Sequence, residues 1–188
     1  MIFKKLLNKI TLKRLGVAAS ILILAAGGTY FYIDHSGNFR TVSPGRVYRS
    51  GQLTEKQLVE YTGEYGIRSV LNLRGKNEQA DWWKEEVAAA NRLGLKHYDL
   101  GLSSRKEPTK EEIQELIAVL QEAPKPLLIH CFGGADRSGL VSAIYLYRFE
   151  GYPYEKARRQ LSFLYGHNTL FYPDKKAMDR AFANFCGK

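Results

Sequence analysis

A cysteine and an arginine are separated by five residues, two of which are glycines, between Cys131 and Arg137. The apolar run at residues 126–130 has the pattern of a short buried strand, and residues 139–149 have the pattern of an apolar helix. In a glycine-rich loop that leads into a helix, the N–H groups of residues 132–137 can surround a dianion, and the helix dipole adds positive potential. The stretch therefore predicts a loop that binds phosphate without a metal or a cofactor.

The side chains of this loop suit phosphoryl transfer. Cys131 would lie at the floor of a positive site, where a lowered pKa makes the thiolate available as a nucleophile. The planar guanidinium of Arg137 can hold two phosphate oxygens, and Ser138 can donate its hydroxyl to the sulfur and help it leave from a phosphocysteine. The predicted phosphate-binding residues are Phe132, Gly133, Gly134, Ala135, Asp136 and Arg137.

The motif His-Cys-x5-Arg-Ser-Gly, which begins at His130, resembles the signature of the cysteine-dependent protein tyrosine and dual-specificity phosphatases. The segments at residues 48–52 and 72–74 resemble entry motifs of small bacterial dual-specificity-like phosphatases, so the resemblance covers about residues 40–165. It implies hydrolysis of phosphate monoesters through a phosphocysteine intermediate. It also implies that His130 supports the cysteine by hydrogen bonding.

The resemblance implies phosphotyrosine, phosphoserine or phosphothreonine proteins as substrates, and a phospholipid or lipid-linked phosphate is the alternative. Phe132 and Ala135 occupy positions where polyphosphoinositide-cleaving relatives often carry lysine, which argues against highly charged inositol phosphates. Rhodanese-like and arsenate-reductase-like proteins also place a cysteine in an anion-binding loop, but the His and the Arg-Ser-Gly favour a phosphatase. The alternative of another class is a phosphate-binding module without catalysis.

Two aspartates compete for the role of general acid. Asp136 precedes Arg137 within the loop and resembles the in-loop aspartate of bacterial secreted phosphatases with Cys-x-x-Gly-x-Asp-Arg and of the myotubularins. Asp99 lies 32 positions before Cys131, near the distance at which many relatives carry their acid. The sequence favours Asp136, with Glu107 as a third and weaker candidate.

The N-terminal part of the chain has nineteen consecutive uncharged residues, Leu15–Ile33, close to the length of about 20 that spans a bilayer. Five basic residues and no acidic residue precede this run, so the positive-inside rule places residues 1–14 in the cytoplasm. We therefore expect a single-pass protein of a bacterial inner membrane, anchored by this helix, with the catalytic domain periplasmic or extracytoplasmic. A cleaved signal peptide is the main alternative, and a buried core helix is a weaker one.

The charge of the chain argues against nucleic acid as a partner. The net charge is +9, but five basic residues lie before the apolar run, and the remaining 23 basic and 19 acidic residues give only +4. Nucleic-acid binders concentrate their positive charge in a stripe with interleaved aromatics, and the pairs Arg158-Arg159 and Lys175-Lys176 are too short for that.

Strand and helix patterns alternate after the apolar run. They predict an α/β fold with a mostly parallel central sheet and helices on both faces, which is also the fold that the resemblance implies. Thr54 and Thr109 each begin a capping-box pattern, and residues 153–164 are predicted to form a helix. The predicted domains are a basic N-terminus at 1–14, a transmembrane anchor at 15–33, a linker at 34–46 and a phosphatase domain at 47–188.

Overall fold

The computed structural model describes residues 14–17, 19–21, 24, 27–28 and 36–188. Most of the predicted membrane anchor at 15–33 therefore lies outside the described residues. The described positions within it are helical, and the apolar side chains among them are at least 60% exposed, namely Leu15, Val17, Ile21 and Leu24. In the part of the chain that is described, no helix is both long and apolar enough to cross a bilayer. The anchor stays a prediction.

A five-stranded sheet forms the centre of the compact unit Gly37–Lys188. The strands follow the spatial order β1-β2-β5-β3-β4, and all neighbours are parallel except the hairpin of β1 and β2. This arrangement confirms the predicted mostly parallel sheet. The strands are β1 (Arg40–Ser43), β2 (Val47–Ser50), β3 (Ser69–Asn72), β4 (Lys96–Asp99) and β5 (Leu127–His130).

Helices follow most of the strands. Both predicted capping boxes are confirmed. The side chains of Thr54 and Thr109 each accept a hydrogen bond from the backbone N–H three residues later. The side chains of those later residues, Gln57 and Glu112, accept from the backbone N–H of the threonine. The helices are α1 (Glu55–Tyr65), α2 (Asp81–Arg92), α3 (Lys110–Glu122), α4 (Asp136–Phe149), α5 (Tyr154–Ala157) and α6 (Lys176–Phe185), and single 3-10 turns occupy Arg158–Gln160, Phe163–Tyr165 and Pro173–Lys175.

Side chains of the central strand are buried on both faces of the sheet. Leu127 and Ile129 join a core with α3, α4 and α6, while Leu128 joins a second core with α1 and α2. This alternation follows from the period of two along a strand. Both cores and the whole sheet lie within residues 37–188, so we expect this unit to fold by itself.

Two predicted boundaries are wrong. The predicted linker 34–46 includes β1, because Phe39 and Val42 are buried and the segment pairs with β2. The predicted helix 153–164 ends at Ala157 and continues as separate 3-10 turns. The last turn of that prediction is not helical: the Gln160 carbonyl, which would accept from residue 164 in an α-helix, accepts from the buried Arg49 guanidinium at 2.8 Å.

The carboxyl ends of β2, β5 and β3 meet at one edge of the sheet, with Ser50, His130 and Asn72 in register. In open parallel sheets this edge is where ligands bind. The chain leaves β5 at this edge and enters α4 after five residues, which places the predicted phosphate loop there.

Candidate active site

Cys131 directly follows β5 and is 3% exposed at the base of the loop. Its Sγ lies 3.5 Å from the Ser138 Oγ, in the first turn of α4. Burial by itself would raise the pKa of the Cys131 thiol, but the charge of Arg137 and hydrogen bonds from Ser138 and the Gly134 N–H outweigh it and lower the pKa. This environment shifts the Cys131 thiol toward the thiolate form, and the sulfur forms no disulfide.

The carbonyl groups of loop residues 132–135 are all held from outside the loop. The Gln52 N–H donates to the carbonyl of residue 132, and the Asn38 side chain donates to that of residue 133. The Arg49 guanidinium donates to the carbonyls of residues 134 and 135. All four donor–acceptor distances are 2.8–3.0 Å. In a trans peptide the C=O and the following N–H point in opposite directions. The N–H groups of residues 133–136 therefore point away from these donors, into the concave side of the loop, where they can bind an anion.

Arg49 is fully buried and braces the phosphate loop. Besides the loop carbonyls, it donates to the backbone and side-chain oxygens of Gln160, both at 2.8 Å. Burial lowers its pKa to about 10, so the guanidinium remains charged at neutral pH. The loop also packs tightly on the end of β2, since a Cβ at Gly134, where φ is +68°, would lie 2.5 Å from the Gly51 nitrogen. Only glycine fits there.

Arg137 is held from the side of β3 and β4. Its Nη1 donates to the carbonyl oxygens of Leu73 at 3.0 Å and Leu102 at 3.3 Å. Its Nε is buried and has no hydrogen-bond partner among the described residues. A guanidinium donor that is not engaged by the protein can bind an anionic ligand.

A buried carboxylate beneath the loop was not predicted. Glu86, on α2, accepts hydrogen bonds from His130 at 3.0 Å and His97 at 2.9 Å. Burial by itself would raise the pKa of Glu86, but the two imidazoles lower it to about 2. The His130 ring bonds to Glu86 through Nε2. Its Nδ1 has no hydrogen-bond partner among the described residues, so the structure shows no hydrogen bond from this ring to Cys131.

Asp136 belongs to a second network that the sequence did not reveal. His167 donates from Nδ1 to Asp136 at 2.7 Å and from Nε2 to Asp179 at 2.9 Å, and the Lys175 ammonium lies 3.4 Å from the other Asp136 oxygen. Burial would lower the pKa of His167, but the two carboxylates raise it to about 9. Burial would raise the pKa of Asp136, but His167 and Lys175 lower it. At neutral pH the proton is on His167.

Asp99 lies farther from the loop. Its carboxylate accepts from the Asn72 side chain at 2.7 Å and from the Trp83 indole at 3.0 Å. Since β4 is two strands from β5, its Cα is about 10 Å from that of His130. Glu107 is bonded to two side chains of α6. Of the three predicted acids, only Asp136 belongs to the loop itself.

Aromatic and cationic side chains flank the loop on the α2 side. The Arg74 guanidinium lies 3.4 Å from the ring centroid of Trp82 and 5.3 Å from that of Phe132. It also donates to the Gln52 side chain at 2.7 Å. Phe132 remains 71% exposed, so an apolar surface borders the predicted phosphate site.

Residues 36–176 match the family model described as Swiss Army Knife protein, DSP-PTPase phosphatase domain. No curated protein sequence matches the chain significantly.

Solved structures share the fold at low sequence identity. A DUF442 protein from Shewanella putrefaciens CN-32 is 19% identical with a TM-score of 0.60, covering 79% of this chain and 92% of that protein. The core catalytic domain of the PP-IP phosphatase SIW14 from S. cerevisiae, in complex with citrate, is 19% identical with a TM-score of 0.58 and coverages of 80% and 93%. P. aeruginosa TpbA, as a cysteine-to-serine variant in complex with pTyr, is 19% identical with a TM-score of 0.56 and coverages of 81% and 93%.

Proposed function

The chain belongs to the DSP-PTPase phosphatase domain family of the Swiss Army Knife proteins, and we propose from that premise that it hydrolyses phosphate monoesters through a phosphocysteine on Cys131. One observation carries the proposal. The carbonyl groups of residues 132–135 are bonded outward, so the loop amides face the opposite side, where the Gly134 N–H and the charge of Arg137 act on the Cys131 sulfur. That arrangement suits a phosphoryl group in transfer, whose charge lies on its equatorial oxygens.

In the first proposed step, the Cys131 thiolate attacks phosphorus, the S–P bond forms and the P–O bond to the leaving group breaks. Arg137 and the loop amides bind the three equatorial oxygens, while Asp136 passes a proton to the leaving oxygen and takes the Nδ1 proton of His167 in its place. In the second step water attacks phosphorus, Asp136 accepts a proton from that water, and the S–P bond breaks. The Ser138 hydroxyl, 3.5 Å from the sulfur, stabilises the departing thiolate.

The proposed acid is the hydrogen-bonded pair of Asp136 and His167. The raised pKa of His167, about 9, keeps a proton on Nδ1, 2.7 Å from the carboxylate that would pass it to the leaving group. Asp179 on the far side of the ring holds the imidazole in place at 2.9 Å. The substrate dianion would make Asp136 more basic at the moment when the proton is needed.

An Asp136→Asn variant tests this pair through the leaving group. We expect kcat with phenyl phosphate, a poor leaving group, to fall about 10²-fold, and kcat with 4-nitrophenyl phosphate to change little. In the wild type, kcat/KM with phenyl phosphate should fall as the pH rises through about 9, because His167 then loses its proton. A His167→Gln variant should lack this fall. Equal losses with both substrates would assign Asp136 a structural role.

His167 also links stability to pH. Its pKa in the folded state, about 9, is above its ordinary value of 6.5, so its ion pairs contribute fully below pH 6.5 and are lost as the pH rises through about 9. Melting temperatures of the wild type and the His167→Gln variant should be measured across this pH range. They show whether a fall in kcat/KM at high pH comes from unfolding rather than from loss of the proton.

For the substrate we propose phosphorylated tyrosine, serine or threonine in proteins. The exposed Phe132 and the stacked Arg74 and Trp82 offer an apolar border against which a phosphotyrosyl ring can lie. Two of the structural neighbours point to different substrate classes, since a TpbA variant was crystallised in complex with pTyr whereas SIW14 is described as a PP-IP phosphatase. Without lysines at positions 132 and 135, this loop matches a singly phosphorylated group better than a polyphosphate.

Phosphate release from a panel of substrates in EDTA tests the function. We expect release from phosphotyrosyl and phosphoseryl peptides to exceed release from an inositol pyrophosphate by at least about tenfold in kcat/KM, which is a difference of about 1.4 kcal/mol in transition-state binding. Preferential release from phospholipid micelles would replace protein by lipid as the substrate class. No release from any member of the panel would contradict catalysis.

We also propose that residues 15–33 anchor the chain in a membrane, with residues 1–14 on the cytoplasmic side. Three features support this placement: the segment carries no charge, basic residues precede it, and its described apolar side chains are exposed. Fractionation of the full chain, with alkaline extraction and protease accessibility from either side, tests both parts of the proposal.

A further inference from the structure

A second apolar surface borders the phosphate loop, in the segment 163–172, here named the apolar loop. Five of its large side chains are exposed by 61–82%, namely Phe163, Leu164, Leu170, Phe171 and Tyr172. Soluble proteins seldom expose several neighbouring large apolar side chains without a binding partner. Among the other described residues of the unit 37–188, the exposed large apolar side chains are Val59 and Phe132.

The middle of the apolar loop is fixed to the active site. The Tyr165 carbonyl accepts from the Asn38 side chain at 3.1 Å, and Asn38 also donates to the Gly133 carbonyl of the phosphate loop. His167 is 5% exposed and bonded to Asp136. These bonds hold residues 165–167 against the phosphate loop, so the exposed side chains on either side of them lie next to the place where a phosphate would bind.

The charges around the apolar loop are basic. Residues 163–172 contain no acidic side chain, while exposed Arg158 and Arg159 precede the loop and exposed Lys176 follows it. Asp174 is the acidic residue nearest in sequence after the loop, and Arg105 pairs with it at 3.1 Å. Aromatic and leucine side chains bordered by basic residues are typical of surfaces that insert into the headgroup region of an anionic bilayer.

We propose that the apolar loop docks onto the surface of an anionic lipid bilayer and holds the phosphate loop at that surface. Phe163, Leu164, Leu170 and Phe171 enter the headgroup region, and the exposed side chains of Arg158, Arg159 and Lys176 contact anionic headgroups. The uncharged segment that ends at Ile33 lies four positions before Gly37, so an anchor there keeps the domain near a bilayer. Docking requires no catalysis, so it stands or fails independently of the proposed phosphatase activity.

Sedimentation of the unit 37–188 with vesicles tests the proposal, using phosphatidylcholine alone and phosphatidylcholine with phosphatidylglycerol. We expect the wild-type unit to bind the anionic vesicles. Its partition coefficient onto these vesicles should fall at least about tenfold in a variant with serine at all four positions, Phe163, Leu164, Leu170 and Phe171. Val59→Ser, which removes an exposed apolar side chain from α1, is the matched control and should bind like the wild type. Melting temperatures of all variants establish that they are folded.

Three outcomes would overturn the docking proposal. One is a wild-type unit that does not sediment with anionic vesicles, and another is a serine variant that binds as well as the wild type, which would indicate adsorption by charge alone. The third is a wild-type dimer that dissociates in the serine variant without vesicle binding, which would identify a second copy of the chain as the partner. Cys131→Ser should leave vesicle binding unchanged, so a loss of activity cannot be mistaken for a loss of docking.

Discussion

A Cys131→Ser variant is expected to release phosphate at least about 10⁴-fold more slowly than the wild type, with either aryl or alkyl phosphates. A serine hydroxyl is far less acidic than a thiol, so the positive surroundings that lower the pKa of Cys131 cannot make it a comparable nucleophile. The fold should persist, because the buried site accepts a side chain of the same shape.

The same variant should still bind inorganic phosphate. The loop amides and Arg137 remain, and removal of a thiolate from the floor of the site removes a negative charge that repels the dianion. Titration calorimetry should therefore give phosphate affinity equal to or higher than that of the wild type. Acid quenching of the wild type during turnover should trap a phosphorylated protein, and the variant should give none.

Cys186→Ser is the matched control for this experiment. Both sulfurs are free thiols, but Cys186 follows α6 and packs at the edge of the larger core. Burial raises its pKa, so it lacks the activation of Cys131. Its replacement should leave kcat within about twofold of the wild-type value, as is usual for changes outside the site. Near-normal turnover by Cys131→Ser would refute the phosphocysteine mechanism. Phosphate binding by a wild type without turnover would support a non-catalytic module.

Arg137→Lys is expected to lower kcat about 10³-fold while the protein stays folded. Arg137 Nη1 is already occupied by the carbonyls of Leu73 and Leu102, and the guanidinium still has donors left for a phosphate oxygen. A lysine ammonium that takes over these carbonyl bonds cannot also present a planar pair of donors to the phosphoryl group. We therefore expect a loss in kcat larger than any change in KM.

Steady-state kinetics and phosphate titration should be run on Arg137→Lys together with Arg180→Lys. Arg180 is an exposed arginine of α6 that pairs with Glu107, away from the phosphate loop, so the same chemical change there should be nearly silent. An Arg137→Lys enzyme with wild-type kcat would show that Arg137 serves packing rather than phosphate binding. A large drop in melting temperature would attribute the loss to the carbonyl bonds instead.

The chemistry at Cys131 was predictable because everything it needs is local in sequence. Within ten residues the chain carries the cysteine, the glycines that permit the turn, the arginine and the start of a helix, and β5 before it is apolar enough to be recognised. The capping boxes at Thr54 and Thr109 were predictable for the same reason, since each involves two side chains three residues apart.

The parts of the site that the sequence missed all depend on distant contacts. His167 meets Asp136 from 31 residues away, and Glu86 meets His130 from 44 residues away. Neither pair belongs to a local pattern, and an isolated glutamate is most often a surface residue. The last turn of the helix predicted at 153–164 also depends on a distant contact, because Arg49, more than a hundred residues earlier, donates to the Gln160 carbonyl.

By itself, then, the sequence determined the family resemblance, the alternation of strands and helices, and the identity of the nucleophile and the arginine, because these follow from short-range geometry and composition. Only the tertiary structure decided which charged groups surround Asp136, where the proton beside it is held, and which contacts hold the loop carbonyls. The reason is physical: a pKa depends on burial and on charges within a few ångströms, and the sheet order β1-β2-β5-β3-β4, not the spacing along the chain, sets which groups come that close.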